Sequence, residues 1–281
     1  MKVADALGGA AQQLTDAGVA EPRPEAGSLL EFAIGREKVF LIAHPDYDLT
    51  SAEMESYDHV VTRRAAREPF QYIVGKQEFY GLDFEVNPDV LIPRPETELL
   101  VERAISELAK LERPKFCEIG VGSGCIAVSV LKNVPEATAI GVDISEKALD
   151  VAGKNAKKHG VADRLVLRKS DIFSALGDER FHAVLSNPPY VPDADMLNLQ
   201  AEVRDFEPAL ALTDGRDGLR IIERIVSEAP IRLRSGGILM IEIGVGQAER
   251  VAQMFDGVVW QAVEFLHDLQ QIPRTVIAVK L

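Results

Sequence analysis

Beyond Pro114 the chain alternates short apolar runs with amphipathic stretches, and few folds satisfy that pattern. The runs are "KFCEIG", "ATAIGVD", "DRLVLRKS", "FHAVLSN" and "GGILMIEIG", each long enough for a buried strand. Apolar residues recur at helical spacing between them, over 124–133, 145–159 and 217–234. Strands alternating with helices pair in parallel, because each helix carries the chain back over a face of the sheet. The closing stretch "QAVEFLHDLQQIPRTVIAVKL" adds two strands, both expected at an edge, which brings the total to seven. The expectation is a doubly wound, mostly parallel α/β sheet with helices on both faces.

What precedes this alternation has a different texture. Residues 1–75 show helical periodicity in "AGSLLEFAIGREKVFLIAH" and "AEMESYDHVVTRRAAREPF", so a bundle of three to five helices is expected. Thr50 or Ser51 is placed to cap one of them. Residues 76–92 alternate polar and apolar positions around Gly81, as a β-hairpin linker would. Residues 93–281 form the remaining domain, which opens on a helix with Pro95 near its first turn.

Charge narrows the partners. The net charge is −13, and residues 1–75 carry 7 basic and 12 acidic side chains. Neither part offers the basic field that a protein gripping bare phosphate backbone needs, so no direct nucleic acid substrate is expected. Two cysteines and five well-separated histidines provide neither a disulfide framework nor a metal cluster. The first residues lack the apolar run of a signal peptide, and no stretch approaches the roughly 20 residues needed to span a bilayer. A cytoplasmic protein with no membrane contact is the default, and a monomer is expected.

The turn after the first parallel strand, "FCEIGVGSGCIAVSVL", contains Glu118, Gly120, Val121, Gly122, Ser123 and Gly124. Its glycines permit close approach of a ligand to the backbone. A dinucleotide fingerprint would place its third glycine where Cys125 stands, so pyrophosphate is disfavoured. Glu118 suits a ligand with a cationic or amino acid portion instead. Asp143 ends the next strand, where a carboxylate accepts hydrogen bonds from ribose hydroxyls. Asp171 ends the third, beside Ile172 and Phe173, where a base could pack. Together they fit S-adenosyl-L-methionine, although both aspartates also suit simple capping.

The fourth strand stops at "SNPPY". Pro188 and Pro189 remove two backbone donors and stiffen a corner between Asn187 and Tyr190. An amide nitrogen is a poor nucleophile because its lone pair is delocalised. The Asn187 side-chain oxygen and the Pro188 carbonyl could hold both of its hydrogens in one plane, aiming the lone pair at a methyl donor. Tyr190 could stack on the flat substrate and face the cationic centre. The catalytic set is therefore Asn187, Pro188 and Tyr190, and Pro189 joins them in the substrate site.

"EIGVGSG" with "SNPPY" resembles the class I S-adenosylmethionine-dependent methyltransferases that modify planar nitrogens. "FEVNPDVLIPRPETELLVE", "EVRDFEPALALTDGRDGLRIIERI", "LRSGGILMIEIGVGQ" and "DLQQIPRTV" resemble, more narrowly, the release factor glutamine N5-methyltransferases of the HemK/PrmC family. That likeness implies a Rossmann-like methyltransferase domain behind a helical domain that recognises the protein substrate. It implies methyl transfer to the amide nitrogen of the glutamine in the GGQ motif of peptide chain release factors, with S-adenosyl-L-homocysteine as product and no metal. Carried over by position, the donor site is Glu118, Gly120 to Gly124, Asp143, Asp171, Ile172 and Asn187. Ile172 departs from those members that carry an aromatic residue there. "PRPETE" reads two ways, as a pocket wall with Arg94 or Glu98 toward the substrate, or as a plain helix start. A nucleic acid amino-methyltransferase is the alternative; it would share the corner but should add a basic track.

Overall fold

The computed structural model describes all 281 residues, and the chain divides into two compact units. The first comprises Met1–Gly75 together with a distant segment, Gln200–Phe206. Its helices are α1 (Val3–Asp16), α2 (Pro22–Ile34), α3 (Lys38–Ala43), α4 (Ser51–Ala65) and α5 (Phe70–Val74), joined by α9 (Ala201–Phe206), numbered by its place in the chain. Thr50 starts α4 with a capping box: its hydroxyl accepts from the Glu53 N–H, and the Glu53 carboxylate accepts from the Thr50 N–H at 2.8 Å. Leu14, Leu29, Leu30 and Tyr57 fill the core, and the Tyr57 hydroxyl donates to the Ala26 carbonyl at 2.9 Å. Arg64 is buried and pairs with both Glu25 and Glu202, while Arg67 grips Glu202 through two nitrogens. Those ion pairs hold α9 in this unit.

The second unit begins with a hairpin, β1 (Lys76–Phe79) and β2 (Leu82–Glu85), turned at Tyr80 and Gly81 with both φ angles positive. Helix α6 (Glu98–Leu108) follows a 3-10 turn at Pro95–Thr97. Then come β3 (Lys115–Ile119), α7 (Cys125–Asn133), β4 (Thr138–Asp143), α8 (Glu146–Lys158), β5 (Leu165–Lys169) and β6 (Phe181–Ser186). The chain continues with α10 (Ala209–Leu212), α11 (Arg220–Glu228), β7 (Leu233–Glu242), α12 (Ala248–Ala252), β8 (Trp260–His267) and β9 (Pro273–Lys280).

The seven strands lie in the order β5-β4-β3-β6-β7-β9-β8. β3, β4, β5, β6 and β7 are parallel, and β9 runs antiparallel to both β7 and β8. One face packs against Phe116, Leu131 and Val101, the other against Phe181, Ile222 and Leu239. From β3 the chain first winds outward through β4 and β5, then returns to build β6 and β7 on the other side. The order therefore reverses between β3 and β6, where sheets of this kind open a ligand crevice at their carboxyl ends.

Two expectations are corrected here. The helix predicted over 217–234 ends at Glu228, because Pro230 cannot donate to a helical ladder; a 3-10 turn at Ala229–Ile231 leads directly into β7. Of the two closing strands only β8 is at the edge. β9 lies inside the sheet, and its residues Thr275–Ala278 are buried.

Candidate active site

A cavity of about 350 Å³ opens at the β3–β6 reversal. Its floor is the glycine-rich turn. Gly120 and Gly122 have φ of 72° and 52°, and the Gly120 and Val121 N–H groups both donate to the Val142 carbonyl. The turn is thereby tied to β4 while its outer surface faces the cavity. Gly141 in β4 makes room for it: a Cβ there would stand 2.9 Å from a Val121 methyl.

Glu118 lies in the wall although it is only 1% exposed, and its Oε2 accepts the Ala127 N–H at 2.8 Å. Burial, with Asp143 nearby, holds its carboxyl well above the usual range. Asp143 Oδ2 accepts from the Gly122 N–H at 3.0 Å, and Oδ1 from the Ser145 N–H at 2.9 Å. Burial raises this group as well. Its carboxylate joins the glycine turn to the start of α8, where the Ser145 hydroxyl is the actual cap. Each carboxylate keeps lone pairs for a ligand hydroxyl or ammonium.

Ile172 is in the wall with φ 49°, a left-handed backbone that a β-branched residue rarely adopts. Strain of that kind concentrates where a side chain must be presented at a set angle. Asp171 also lines the cavity, its exposed carboxylate paired with Arg224 at 2.9 Å. Phe173, expected beside a base, points into the core instead.

At the opposite wall stand Asn187 and Pro189. The Asn187 Nδ2 donates to the Thr97 hydroxyl oxygen at 3.1 Å. That leaves its Oδ1 as the free end of the carboxamide. The Pro188 ring is buried, and its carbonyl belongs to the bend between Asn187 and Pro189, the two residues that line the wall. Tyr190 stands next to that wall, part-exposed, and its hydroxyl donates to the buried Glu242 at 3.1 Å, at the end of β7. Its carbonyl accepts from Gln247 Nε2 at 2.9 Å, and Gly218 passes against that same carbonyl. Tyr190 is thus anchored at both ends, which stiffens the corner.

Gly124 has a packing role. It is absent from the wall, and its Cα faces Ala152, with a Cβ there 3.2 Å from the Ala152 methyl; it brings α7 and α8 together. Glu98 does not face the cavity, since its carboxylate accepts the Tyr80 N–H at 2.8 Å and braces the hairpin turn. Arg94 is in the wall, held by Glu207, whose other oxygen accepts the Ile92 N–H at 3.2 Å. Pro208 follows Glu207 and lines the wall.

Several site residues escaped sequence reasoning. Ile144 is 57% exposed beside Asp143 and lines the cavity. An apolar residue at a polar helix start was its only signal. Thr97, Leu210 and Ile221 complete the apolar and hydroxyl surfaces. Asn155, fully buried in α8, donates to the Ser123 and Glu85 carbonyls and accepts the Glu85 N–H. It holds the glycine turn against the hairpin.

The chain matches the PrmC N-terminal domain over residues 5–75 and the methyltransferase small domain over residues 95–204. The release factor glutamine methyltransferase of Geobacter sulfurreducens is 47% identical over 242 residues, covering 86% of this chain and 84% of that one. The protein of the same name from Koribacter versatilis is 39% identical over 282 residues, covering 100% and 99%. A solved methyltransferase from Pyrococcus furiosus superposes with a TM-score of 0.54 at 17% identity, covering 72% of this chain and 90% of that one. The hMettl16 catalytic domain does so at 0.58 and 15%, covering 78% and 81%. At those identities the two structures show a shared fold. The full-length relatives show more: this chain belongs to the release factor glutamine methyltransferase family.

Proposed function

We propose that the protein transfers a methyl group from S-adenosyl-L-methionine to the side-chain amide nitrogen of the glutamine in the GGQ loop of peptide chain release factors. The observation that carries this reading is the Asn187–Thr97 hydrogen bond in a chain of this family. It turns the NH2 end of the carboxamide away and leaves an acceptor for an incoming amide N–H.

The cavity suits the donor by its chemistry. Glu118 and Asp143 in its wall would accept from the donor's ammonium and ribose hydroxyl groups, and Ile144 and Ile172 offer aliphatic surface to a base. The arginines that line the cavity are already engaged: Arg94 by Glu207, Arg224 by Asp171 and Arg220 by the Asp214 carbonyl. When bound, the donor supplies a methyl group activated by its positive sulfur.

The chain supplies orientation. The Asn187 Oδ1 and the Pro188 carbonyl take the two N–H groups of the substrate carboxamide and hold its plane. As the nitrogen gains positive character, those oxygens stabilise its hydrogens more strongly than in the ground state. The stiff prolyl backbone keeps both acceptors in place without reorganisation. As the N–C bond forms, the sulfur–methyl bond breaks with its electron pair going to sulfur, and S-adenosyl-L-homocysteine leaves as a neutral thioether. The proton lost from the nitrogen made acidic by methylation passes to solvent water, so no strongly basic side chain is required.

Residues 1–75 recognise the folded release factor while its loop enters the cavity. The enzyme works as a cytoplasmic monomer. Label from methyl-labelled donor should enter purified release factor and disappear when the acceptor glutamine is replaced. Label in tRNA, ribosomal RNA or DNA alone would overturn the assignment. Asn187→Ala should lower turnover about a hundredfold or more and donor affinity much less; equal losses in both would contradict its role.

A further inference from the structure

One buried carboxylate beside the corner has no part in the transfer itself. Glu242 is 2% exposed, its Oε1 is occupied by the Tyr190 hydroxyl, and its Oε2 is buried without a hydrogen-bond partner. A buried oxygen left in that state calls for a reason. The Thr97 hydroxyl is the other group that bears on this carboxylate, its proton is free to turn toward the unpartnered Oε2, and its oxygen accepts from Asn187.

Resting on the methyl-transfer reading above, we propose that Glu242 is a positioning residue. It sets the direction of the hydrogen bonds running through Thr97 to Asn187, and so decides which end of the Asn187 carboxamide meets the substrate.

The argument is one of donors and acceptors. An ionised carboxylate only accepts. A hydroxyl beside it turns its proton toward Glu242 and leaves its lone pairs for Asn187. Lone pairs attract the NH2 end of the carboxamide, so Oδ1 is the end presented to the cavity. The substrate nitrogen brings two N–H donors, and only the oxygen end can receive one. With an amide at position 242, Thr97 could accept from that amide and donate to Asn187. The carboxamide would then turn over and confront the substrate with donors.

Protonation of Glu242 would have the same effect, because a carboxylic acid can donate. Burial raises its pKa to about 7, opposed by the Thr97 and Tyr190 hydroxyls, with Glu96 raising it further and Arg274 on β9 lowering it. Turnover should therefore fall as pH drops through that value.

The test uses Glu242→Gln and Thr97→Val in the full chain. Glu242→Gln should cost on the order of tenfold or more in turnover, leave donor affinity by calorimetry unchanged, and erase the fall in turnover on the acid side. Thr97→Val should reproduce the loss, and the double variant should be no worse than the poorer single, as expected of residues in one relay. Unchanged turnover in Glu242→Gln, an intact acid limb, or losses that multiply in the double variant would overturn the proposal. Thermal midpoints and the Asn187 side-chain amide resonances are recorded without substrate. The resonances should move in Glu242→Gln; resonances that stay in place would also overturn it. If the wild-type protein labels no release factor, the functional reading fails, yet the resonances still decide the orientation of Asn187.

Discussion

Gly218 offers the sharpest test of how the corner is held. A Cβ at this position would stand 2.1 Å from the Tyr190 carbonyl oxygen and 2.7 Å from its carbon, with Gln247 Nε2 at 3.1 Å. The two nearest obstacles are backbone, which cannot yield as a flexible side-chain end does, and the Gln247 amide beyond them is tied to that same carbonyl. Gly218 also has φ 77°, which costs an alanine about 1 kcal/mol. Forcing the Tyr190 peptide away adds roughly 1–3 kcal/mol of overpacking, and the weakened Gln247–Tyr190 bond about 1 kcal/mol more. Gly218→Ala should therefore lose about 4 kcal/mol, or on the order of 10 °C in melting temperature for a unit of this size. Gly215→Ala is the control: its φ is 75°, yet nothing lies within 4 Å of the added Cβ. It should lose only the backbone cost, about 1 kcal/mol. Scanning calorimetry gives the two shifts, and turnover with donor and release factor gives the second readout. Displacing the corner by about 1 Å should lower turnover on the order of a hundredfold in Gly218→Ala and hardly at all in Gly215→Ala. If both variants melt and turn over alike, close approach of Gly218 does not hold the corner, and the account of Tyr190 as its brace fails.

Three further outcomes are expected. Glu118 is held above its usual range, so the folded state favours the neutral acid; its contribution is greatest in acid and is lost as pH rises through the folded value. Glu118→Gln should melt higher than the wild type near neutrality, with the gap closing below about pH 4, and should bind donor at least tenfold more weakly; parallel melting curves across pH would refute this. Asn155→Ala removes the three bonds between α8, the hairpin and the glycine turn, about 3 kcal/mol together, and calorimetric donor affinity should fall more than turnover at saturation. Arg64→Ala leaves Glu25 half-buried without its cation, at roughly 3 kcal/mol; urea unfolding followed by circular dichroism should show the loss, and a change under about 1 kcal/mol would mean the pair behaves as a surface contact.

The sheet was legible because parallel strands buried on both faces read as continuous apolar runs, and five such runs separated by helices admit few arrangements. The same rule could have placed β9 inside the sheet, since "TVIAV" is unbroken while β8 carries Gln261 and Glu264 among its apolar residues. Helix α11 was overextended because amphipathic spacing continued past Pro230, whose missing donor ends a helix whatever the pattern says. At the site, Asp143, Asn187 and the glycine turn could be placed from strand ends alone. Gly124 and Tyr190 could not, because a side chain's direction depends on what it packs against: Ala152 in one case, Glu242 in the other. Glu242 had left a trace, a lone carboxylate in "ILMIEIG", where an apolar residue would cost nothing to bury. Asn155 left none, being one polar residue among many in "KNAKKHG".

The acid that Arg64 and Arg67 share, Glu202, reaches them from more than a hundred residues downstream. The helical unit is accordingly no detachable bead at the front of the chain. It is stitched shut by a thread from the catalytic half, entering at Gln200 and leaving at Phe206. A fragment cut after Gly75 would carry two arginines whose common counter-ion had been amputated, and the remaining piece would hold a stranded helix. Any exchange of this module between relatives, in the laboratory or over evolution, must move seven distant residues with it.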